Sequence, residues 1–204
     1  MKLFILGATG GIGRHLVGLA QERGHFVTAY VRSPEKIGEA HERLKIMPGD
    51  VFNADEMAGS MEGHDAILSS FGPNALLSST LRRDFGRALA AAMRKSGVRR
   101  LELVSSALLF REAGILPGIL KVTLFSQMLP DMAGMEAELC RSDLDWTMVR
   151  PPRLTNGPAR HSYRLADGNL PKGGFLISRA DVAHFMIGEA EDPTHVQQVV
   201  GVAN

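Results

Sequence analysis

Three glycines spaced three residues apart are the first feature of this sequence that could do chemistry. They occur in G-A-T-G-G-I-G, a turn close to the start of the chain. The first glycine permits a tight bend, the second lets the backbone approach a diphosphate, and the third lets a following helix pack against a sheet. Free N–H groups at the start of that helix attract phosphate. The predicted phosphate-binding residues are Gly7, Ala8, Thr9, Gly10, Gly11, Ile12 and Gly13.

The residues on either side give this turn the context that a nucleotide-binding turn needs. Residues 3–6 form an apolar run typical of a buried strand, and residues 13–22 place apolar side chains on one helical face. A glycine triplet outside such a strand–turn–helix unit is weak evidence, because it could have a purely structural role. In this context we predict that the turn binds the diphosphate of a dinucleotide.

The end of the second predicted strand, residues 26–31, distinguishes between the two nicotinamide dinucleotides. A site specific for NAD carries an acidic residue there to bind the ribose 2′-hydroxyl, but this strand is followed by Arg32 and Ser33. Arg32 could hold a 2′-phosphate through its planar guanidinium, with Ser33 donating and Lys36 or Arg14 adding positive charge. The alternative is that Arg32 is only a solvent-facing loop residue. We predict NADP(H) as the preferred cofactor and NAD(H) as the alternative.

Two further loops follow predicted strands and are expected to lie against the same cofactor. Asp50 and Val51 follow the third strand. Asp50 could accept a hydrogen bond from the exocyclic amine of adenine, or it could cap the next helix, and the two roles are compatible. Ser70, Phe71 and Gly72 follow the fourth strand, where the strand order of a doubly wound sheet changes direction. All five residues are therefore predicted cofactor contacts.

Strand and helix signals alternate along the whole chain, which favours a parallel sheet with helices on both faces. We predict an α/β fold of the Rossmann type: a single domain over residues 1–204, with a doubly wound, mostly parallel sheet in three α/β/α layers. Residues 108–130 and 154–175 are predicted to be elaborations on the substrate side. The predicted strands are 3–6, 26–31, 44–47, 66–69, 100–104, 146–149, 163–166 and 196–202, and the main helices are 13–22, 53–61, 79–96, 131–142 and 179–189.

Composition excludes several classes of protein. The 204 residues carry a formal net charge of +1, so nothing in the bulk charge attracts nucleic acid or an anionic membrane. No apolar run is long enough to span a bilayer, and the N-terminal run is too short for a signal peptide. His161 and His184 have no partners at metal-ligand spacing, and Cys140 is the single cysteine. We therefore expect a cytoplasmic protein without a metal.

Several motifs in order give the chain a family resemblance. They are G-A-T-G-G-I-G-R, V-R-S-P-E-K, G-D-V, V-S-S-A, D-W-T-M-V-R-P-P-R-L-T-N-G-P and I-S-R-A-D-V-A-H-F-M. Together they resemble the atypical short-chain dehydrogenase/reductases with an NmrA-like NAD(P)H-binding domain, and are similar to the flavin reductase/biliverdin-IXβ reductase group. The resemblance covers nearly the whole chain and is weakest between residues 108 and 130. It implies a monomeric-type Rossmann domain, and hence a monomer or weak homodimer. It also implies NADPH as the hydride donor and a planar acceptor such as a flavin, a quinone or biliverdin.

The resemblance also assigns roles near the nicotinamide. Ser105 and Ser106 match the end of the fifth strand, with Ser106 as the serine near the ring, and Pro151 and Pro152 match the loop beside it. Arg153 stands where the related reductases have a histidine, so it could instead receive an anionic acceptor. Ser106 and Arg153 are the predicted catalytic residues. The alternative for Ser106 is that its hydroxyl only satisfies the backbone at the strand end.

The wider superfamily reduces ketones with a Tyr-x-x-x-Lys pair, which this chain lacks. Tyr30 and Tyr163 are each followed four residues later by a residue other than lysine. Hydride transfer to a flavin or quinone needs no strong protein acid, because solvent can supply the proton. Glu136 is a candidate acid or base, although a solvated helix position is favoured. The apolar residues 108–129 are a candidate lid over the acceptor, with a core helix or a dimer surface as alternatives.

Two functions remain in view from the sequence. The first is an NADPH-dependent oxidoreductase that passes hydride to a planar flavin-, quinone- or biliverdin-like acceptor. The second is a non-catalytic NADP(H)-binding redox sensor that regulates a partner protein, as NmrA-like regulators do. An epimerase or dehydratase acting on a sugar nucleotide is disfavoured because the Tyr and Lys pair is missing.

Overall fold

The fold is that of a computed structural model, which describes residues 1–38, 41–72, 80–110 and 128–204. Ten strands lie in these ranges: β1 (Lys2–Leu6), β2 (Phe26–Val31), β3 (Leu44–Pro48), β4 (Ala66–Ser69), β5 (Arg100–Val104), β6 (Asp145–Arg150), β7 (Arg153–Thr155), β8 (Arg164–Asp167), β9 (Leu176–Ser178) and β10 (Gln198–Ala203). The α-helices of the same ranges are α1 (Gly11–Glu22), α2 (Ala54–Met61), α3 (Leu81–Ser96), α4 (Met128–Cys140) and α5 (Arg179–Glu191).

Eight of these strands form one sheet in the order β3-β2-β1-β4-β5-β6-β10-β8. All neighbours in it are parallel except β8, which runs antiparallel to β10. The order reverses between β1 and β4, and in open parallel sheets of this kind ligands bind at the carboxyl ends of the strands beside the reversal. The predicted Rossmann architecture is confirmed.

Helices cover both faces of the sheet, which explains why the central strands read as unbroken apolar runs. On β1, Leu3 and Ile5 belong to the core beneath α1 and α5. Phe4 and Leu6 belong to the core on the opposite face, which also contains residues of α2, α3 and α4. Both sets are fully buried. The first strand is therefore anchored from two sides, and the turn that follows it has a fixed starting point.

Helix ends follow the predicted capping signals. The Asn53 side chain accepts a hydrogen bond from the Glu56 N–H, and the Ser178 side chain accepts one from the Asp181 N–H. Gly97 ends α3 with a φ of 77°, the left-handed conformation that glycine adopts most easily. Helix α4 differs from the prediction, because it begins at Met128 and ends at Cys140.

A second, two-stranded sheet was not predicted. Strands β7 and β9 pair in parallel, with Arg153 opposite Leu176 and Thr155 opposite Ser178. Strands of three residues are too short to show periodicity, so the sequence carries no clear signal for them. This small sheet lies within and beside the predicted elaboration 154–175. Residues 111–127, which form most of the predicted lid, are outside the described ranges.

None of the helices in the described part of the chain is long and apolar enough to cross a membrane.

Candidate functional site

The parallel strands bring most of the predicted site residues to one edge of the sheet. Because the carboxyl ends of β1 to β6 all lie at this edge, the loops that follow them are neighbours in space. The glycine turn follows β1, directly beside the loop after β4 at the strand-order reversal. The residues that follow the strands are Gly7 after β1, Arg32 after β2, Asp50 after β3, Ser70 after β4, Ser105 after β5 and Pro151 after β6.

Gly7 shows why a glycine begins the turn. Its φ is +77°, and a Cβ atom there would lie 2.8 Å from both the Phe71 nitrogen and the Ser70 carbonyl carbon. The Gly7 carbonyl oxygen accepts hydrogen bonds from the Gly10 N–H at 2.9 Å and from the Ser70 hydroxyl at 3.3 Å. Any side chain at position 7 would therefore meet both a strained backbone and a neighbouring loop.

The start of α1 is shaped to receive an anion. A Cβ atom at Gly13 would lie 2.0 Å from the Gly7 carbonyl oxygen, so only glycine lets the helix approach the turn. Gly10 is the residue before the helix, and no side chain caps it among the described residues, nor does an acidic residue lie in the first turn. The first N–H groups of α1 are left for a ligand, and a diphosphate fits them.

Two residues of the predicted turn contribute only backbone. The side chains of Ala8 and Ile12 are buried in the core beneath α1. The helix rotates the Ile12 side chain inward, so it is the backbone of Ile12 that faces the turn. Thr9 is partly exposed, and its carbonyl oxygen accepts a hydrogen bond from the Arg14 Nε at 3.1 Å. This bond places Arg14 along the turn.

The loop after β2 carries positive side chains that form no ion pair with the described residues. Arg32 and Lys36 are exposed, and neither is in an ion pair with any residue that the structure describes. Ser33 precedes the short 3-10 turn Pro34–Lys36 without capping it through its side chain. Arg32, Ser33 and Lys36 supply donors suited to a 2′-phosphate, and Glu35 is the one acid of the short 3-10 turn beside them.

The loop after β3 is held by Tyr30. A Cβ atom at Gly49 would lie 2.1 Å from the Tyr30 ring, so the loop backbone rests on that ring. Burial, with the nearby carboxylates of Glu56 and Asp50, raises the pKa of Tyr30 to about 12. Asp50 does not cap α2. Its carboxylate accepts from the Phe52 N–H at 3.0 Å, and Asn53 is the cap.

The loop after β4 presents backbone to the site. The Phe71 ring is directed toward the protein interior, where its centroid lies 4.4 Å from that of Phe85 and 6.1 Å from that of Phe52. Its N–H and the Ser70 carbonyl are the groups that meet Gly7. Gly72 is the last described residue of this loop.

Ser105 and Ser106 after β5 differ in a way that the sequence did not show. The Ser106 hydroxyl oxygen accepts a hydrogen bond from the Leu108 N–H at 3.2 Å and so caps the short 3-10 turn Ala107–Leu109. Ser105 is 9% exposed as a residue, and within the described residues its buried hydroxyl has no hydrogen-bond partner. A buried polar group without a partner costs about 1–3 kcal/mol. Ser105 therefore fits a polar ligand group such as the nicotinamide amide.

A buried ion pair at the end of β6 was missed by the sequence argument. Glu136 is buried rather than solvated, and its two carboxylate oxygens accept from Arg150 at 3.0 Å and 2.5 Å. Arg150 also lies 4.8 Å from the centroid of the Phe110 ring. Position 136 looked like a surface helix residue because its partner comes from the next strand. The pair fixes β6 just before Pro151 and makes Glu136 a structural anion.

The loop after β6 is bonded to the loop after β5 at its first residue and is exposed at its end. Pro151 is buried, and its carbonyl oxygen accepts from the Ala107 N–H at 3.0 Å. Pro152 is half-buried, and Arg153 is exposed at the start of β7. This contact joins the loops after β5 and β6 where the resemblance places the nicotinamide.

Neither tyrosine lies free at this edge. The Tyr163 hydroxyl is 2.8 Å from the Nδ1 atom of His184 on α5, and burial raises its pKa. Tyr30 lies beneath the loop after β3, as described above. Among the described residues no cluster of His, Cys, Asp and Glu could hold a metal ion.

Sequence comparison agrees with this geometry. The sequence model of the NAD(P)H-binding family matches residues 7–193, a span that begins at the first glycine of the turn. The chain belongs to this NAD(P)H-binding family. The fold and the turn together define a Rossmann-type dinucleotide-binding protein, similar to atypical short-chain dehydrogenase/reductases.

Individual relatives carry different names. The chain is 30% identical to the uncharacterized protein YwnB of Bacillus subtilis over 96% of this chain and 94% of that one. It is 31% identical to the uncharacterized sugar epimerase YhfK of the same organism, over 94% and 89%. The solved structure of a candidate NADH-flavin reductase from Streptococcus pneumoniae superposes with a TM-score of 0.81 at 24% identity, covering 100% of this chain and 99% of that one.

Proposed function

We propose that the protein is an NADPH-dependent oxidoreductase that passes hydride to a planar acceptor of the flavin, quinone or biliverdin type. The observation that carries this is the glycine turn at the strand-order reversal. A nicotinamide bound from that turn would extend toward the loops after β5 and β6. That end offers hydroxyl, proline and guanidinium groups, but no free tyrosine acid among the described residues.

The preference for NADPH is supported by the loop after β2. Arg32, Ser33 and Lys36 offer two cations and a hydroxyl where an NAD-specific protein has a carboxylate. Because neither cation is in an ion pair with a described residue, binding a 2′-phosphate there breaks no existing contact. Val51 and Asp50 would lie at the adenine edge.

Bound NADPH would supply the hydride, and solvent would supply the proton that completes a two-electron reduction of the acceptor. The chain's own work is to position the two rings and to exclude water. The buried Ser105 hydroxyl would donate to the nicotinamide amide. Pro151 and Pro152 would form one wall beside the ring, and Arg153 would receive a carboxylate or phosphate of the acceptor.

Steady-state oxidation of NADPH, followed by absorbance with FMN, a quinone panel and biliverdin as acceptors, tests the proposal. We expect turnover with at least one acceptor, and slower turnover for Arg153→Ala with anionic acceptors only. A protein that binds NADPH yet reduces none of the three classes would overturn the reductase assignment.

The second candidate is a non-catalytic NADP(H) sensor. The observation favouring it is that the Ser106 hydroxyl is already used to cap a 3-10 turn, which leaves the acceptor end with few groups for chemistry. The sensor predicts dinucleotide binding without turnover, and capture of a protein partner that depends on the dinucleotide's redox state.

An epimerase is the least supported candidate, despite the name of one relative. Such enzymes commonly use a tyrosine acid, and both tyrosines of this chain are committed elsewhere. Incubation with UDP-sugars and NAD, followed by product analysis, would detect this activity directly.

A further inference from the structure

Arg179 reaches the glycine turn from the far end of the sequence. It is the first residue of α5, and its guanidinium donates to the Asn156 Oδ1 at 2.7 Å. A Cβ atom at Gly11 would lie 2.6 Å from the Arg179 Cδ and 2.7 Å from its Nε. The arginine side chain therefore lies directly against the start of α1.

This contact explains why position 11 is a glycine. Gly7 is the glycine of the turn with a positive φ, and Gly10 and Gly13 meet the backbone of Gly7. Gly11 needs no unusual φ, and the atoms that a Cβ atom would meet all belong to Arg179. A side chain at the second of the paired glycines would thus displace Arg179, a residue more than one hundred and sixty positions later.

The electrostatics of this position are unfavourable without an anion. Arg179 lies at the positive end of its own helix and against the positive end of α1. Its hydrogen-bond partner Asn156 is neutral, and no carboxylate of the described residues forms an ion pair with it. Arg14 adds a second cation beside the same turn. A guanidinium has five N–H donors, so donors remain for a ligand after the bond to Asn156.

We propose that Arg179 binds the dinucleotide diphosphate from the α5 side, with Asn156 positioning its guanidinium. The proposal rests on the dinucleotide binding of the proposed function, but not on reduction of any acceptor. It makes the phosphate site a product of two distant parts of the chain: the amides of α1 on one side, and a cation at the start of α5 on the other, positioned by the residue that follows β7.

The test is the dissociation constant of each dinucleotide for Arg179→Gln, measured by titration of NADPH and of NADH with tryptophan or nicotinamide fluorescence. Loss of a charge-assisted bond to the diphosphate should weaken both by a similar factor, about 10- to 100-fold. Arg179→Lys should recover part of the loss. Arg43→Gln removes the same charge at the opposite edge of the sheet and should leave both constants unchanged.

Gly11→Ala gives a second, independent variant. A methyl group there should displace the Arg179 side chain, so the loss in affinity should resemble that of Arg179→Gln. Because the two changes remove one interaction, the double variant should be little worse than either single variant. Thermal melting of each variant confirms that the domain is folded at the titration temperature.

The outcomes separate this inference from the proposed function. Wild-type protein that binds neither dinucleotide overturns both. Wild-type protein that binds, with Arg179→Gln and Arg179→Lys within about twofold of it, overturns the role of Arg179 alone. A loss confined to NADPH would also overturn it, since it would place Arg179 at the 2′-phosphate. Binding that depends on Arg179 without any acceptor turnover supports the inference while the reductase fails.

Discussion

The two edges of the sheet differ in whether their charged side chains are paired and buried. At the carboxyl edge, Arg32 and Arg179 are cations without a carboxylate partner among the described residues. At the amino edge, Arg100 lies 3.3 Å from Glu189 and 3.5 Å from Glu102, all three nearly or fully buried. A cation without a carboxylate partner indicates where an anionic ligand is expected. Buried charges that pair with each other contribute to the fold alone.

The largest change in stability is expected for the ion pair of Arg150 and Glu136. This pair is an exception to the comparison, because it is buried although it lies at the carboxyl edge of the sheet. Glu136→Ala leaves a buried guanidinium without its carboxylate, which costs about 3–5 kcal/mol of unfolding free energy. Urea denaturation measures it. Glu138→Ala on the same helix, whose partner Arg87 is on the surface, should cost only about 0–1 kcal/mol. Equal losses would show that enclosure does not matter here.

Arg32 tests whether the unpaired cations at the carboxyl edge bind an anion. Arg32→Asp replaces the proposed 2′-phosphate ligand with a repelling charge, so the dissociation constant for NADPH should rise on the order of 100-fold. NADH, which lacks that phosphate, should change far less. Parallel titrations of the two dinucleotides measure the ratio. An equal change for both would refute the assignment of Arg32.

The pH dependence of the unfolding free energy tests the buried charges at the amino edge, where Glu102 lies. Burial raises its pKa well above the ordinary 4.5, and Glu189 adds to the rise while Arg100 opposes it. A raised folded-state pKa gives stability that is present below about pH 4.5 and is lost as pH rises through the folded value. Glu102→Gln should therefore match wild type near pH 4 and become progressively more stable than wild type as the pH rises through the folded-state pKa.

Chemical denaturation across that pH range measures this difference. Glu62→Gln, an exposed residue at the end of α2, is the control and should run parallel to wild type. A pH-independent offset for Glu102→Gln would show that its carboxyl does not titrate differently on folding.

The smallest effect is expected for a surface pair. Lys95 and Asp55 are in contact, but both side chains are more than half exposed. Asp55→Asn should change the unfolding free energy by about 0–1 kcal/mol and should lose even that in high salt. A larger loss would mean that exposed pairs in this protein resemble the enclosed cluster.

Sequence patterns predicted the elements whose structure depends on residues close together in the chain. The strand, turn and helix over residues 3–22 were predicted because periodicity and glycines lie within one short segment, and the caps at Asn53 and Ser178 for the same reason. Strands β7 and β9 were missed because three residues carry no period. Glu136 looked solvated because its ion-pair partner Arg150 lies on the next strand. Arg179 was missed because its contact with Gly11 joins distant parts of the chain. Such contacts exist only after folding.

Gly7 has one consequence for binding. Its carbonyl oxygen accepts from both Gly10 and Ser70, so the bend is preorganised by two neighbouring segments before any dinucleotide arrives. Affinity is then not reduced by the entropy of ordering this bend. Variants that leave Gly10 and Ser70 intact should therefore keep the bend in its binding conformation whether or not a dinucleotide is bound.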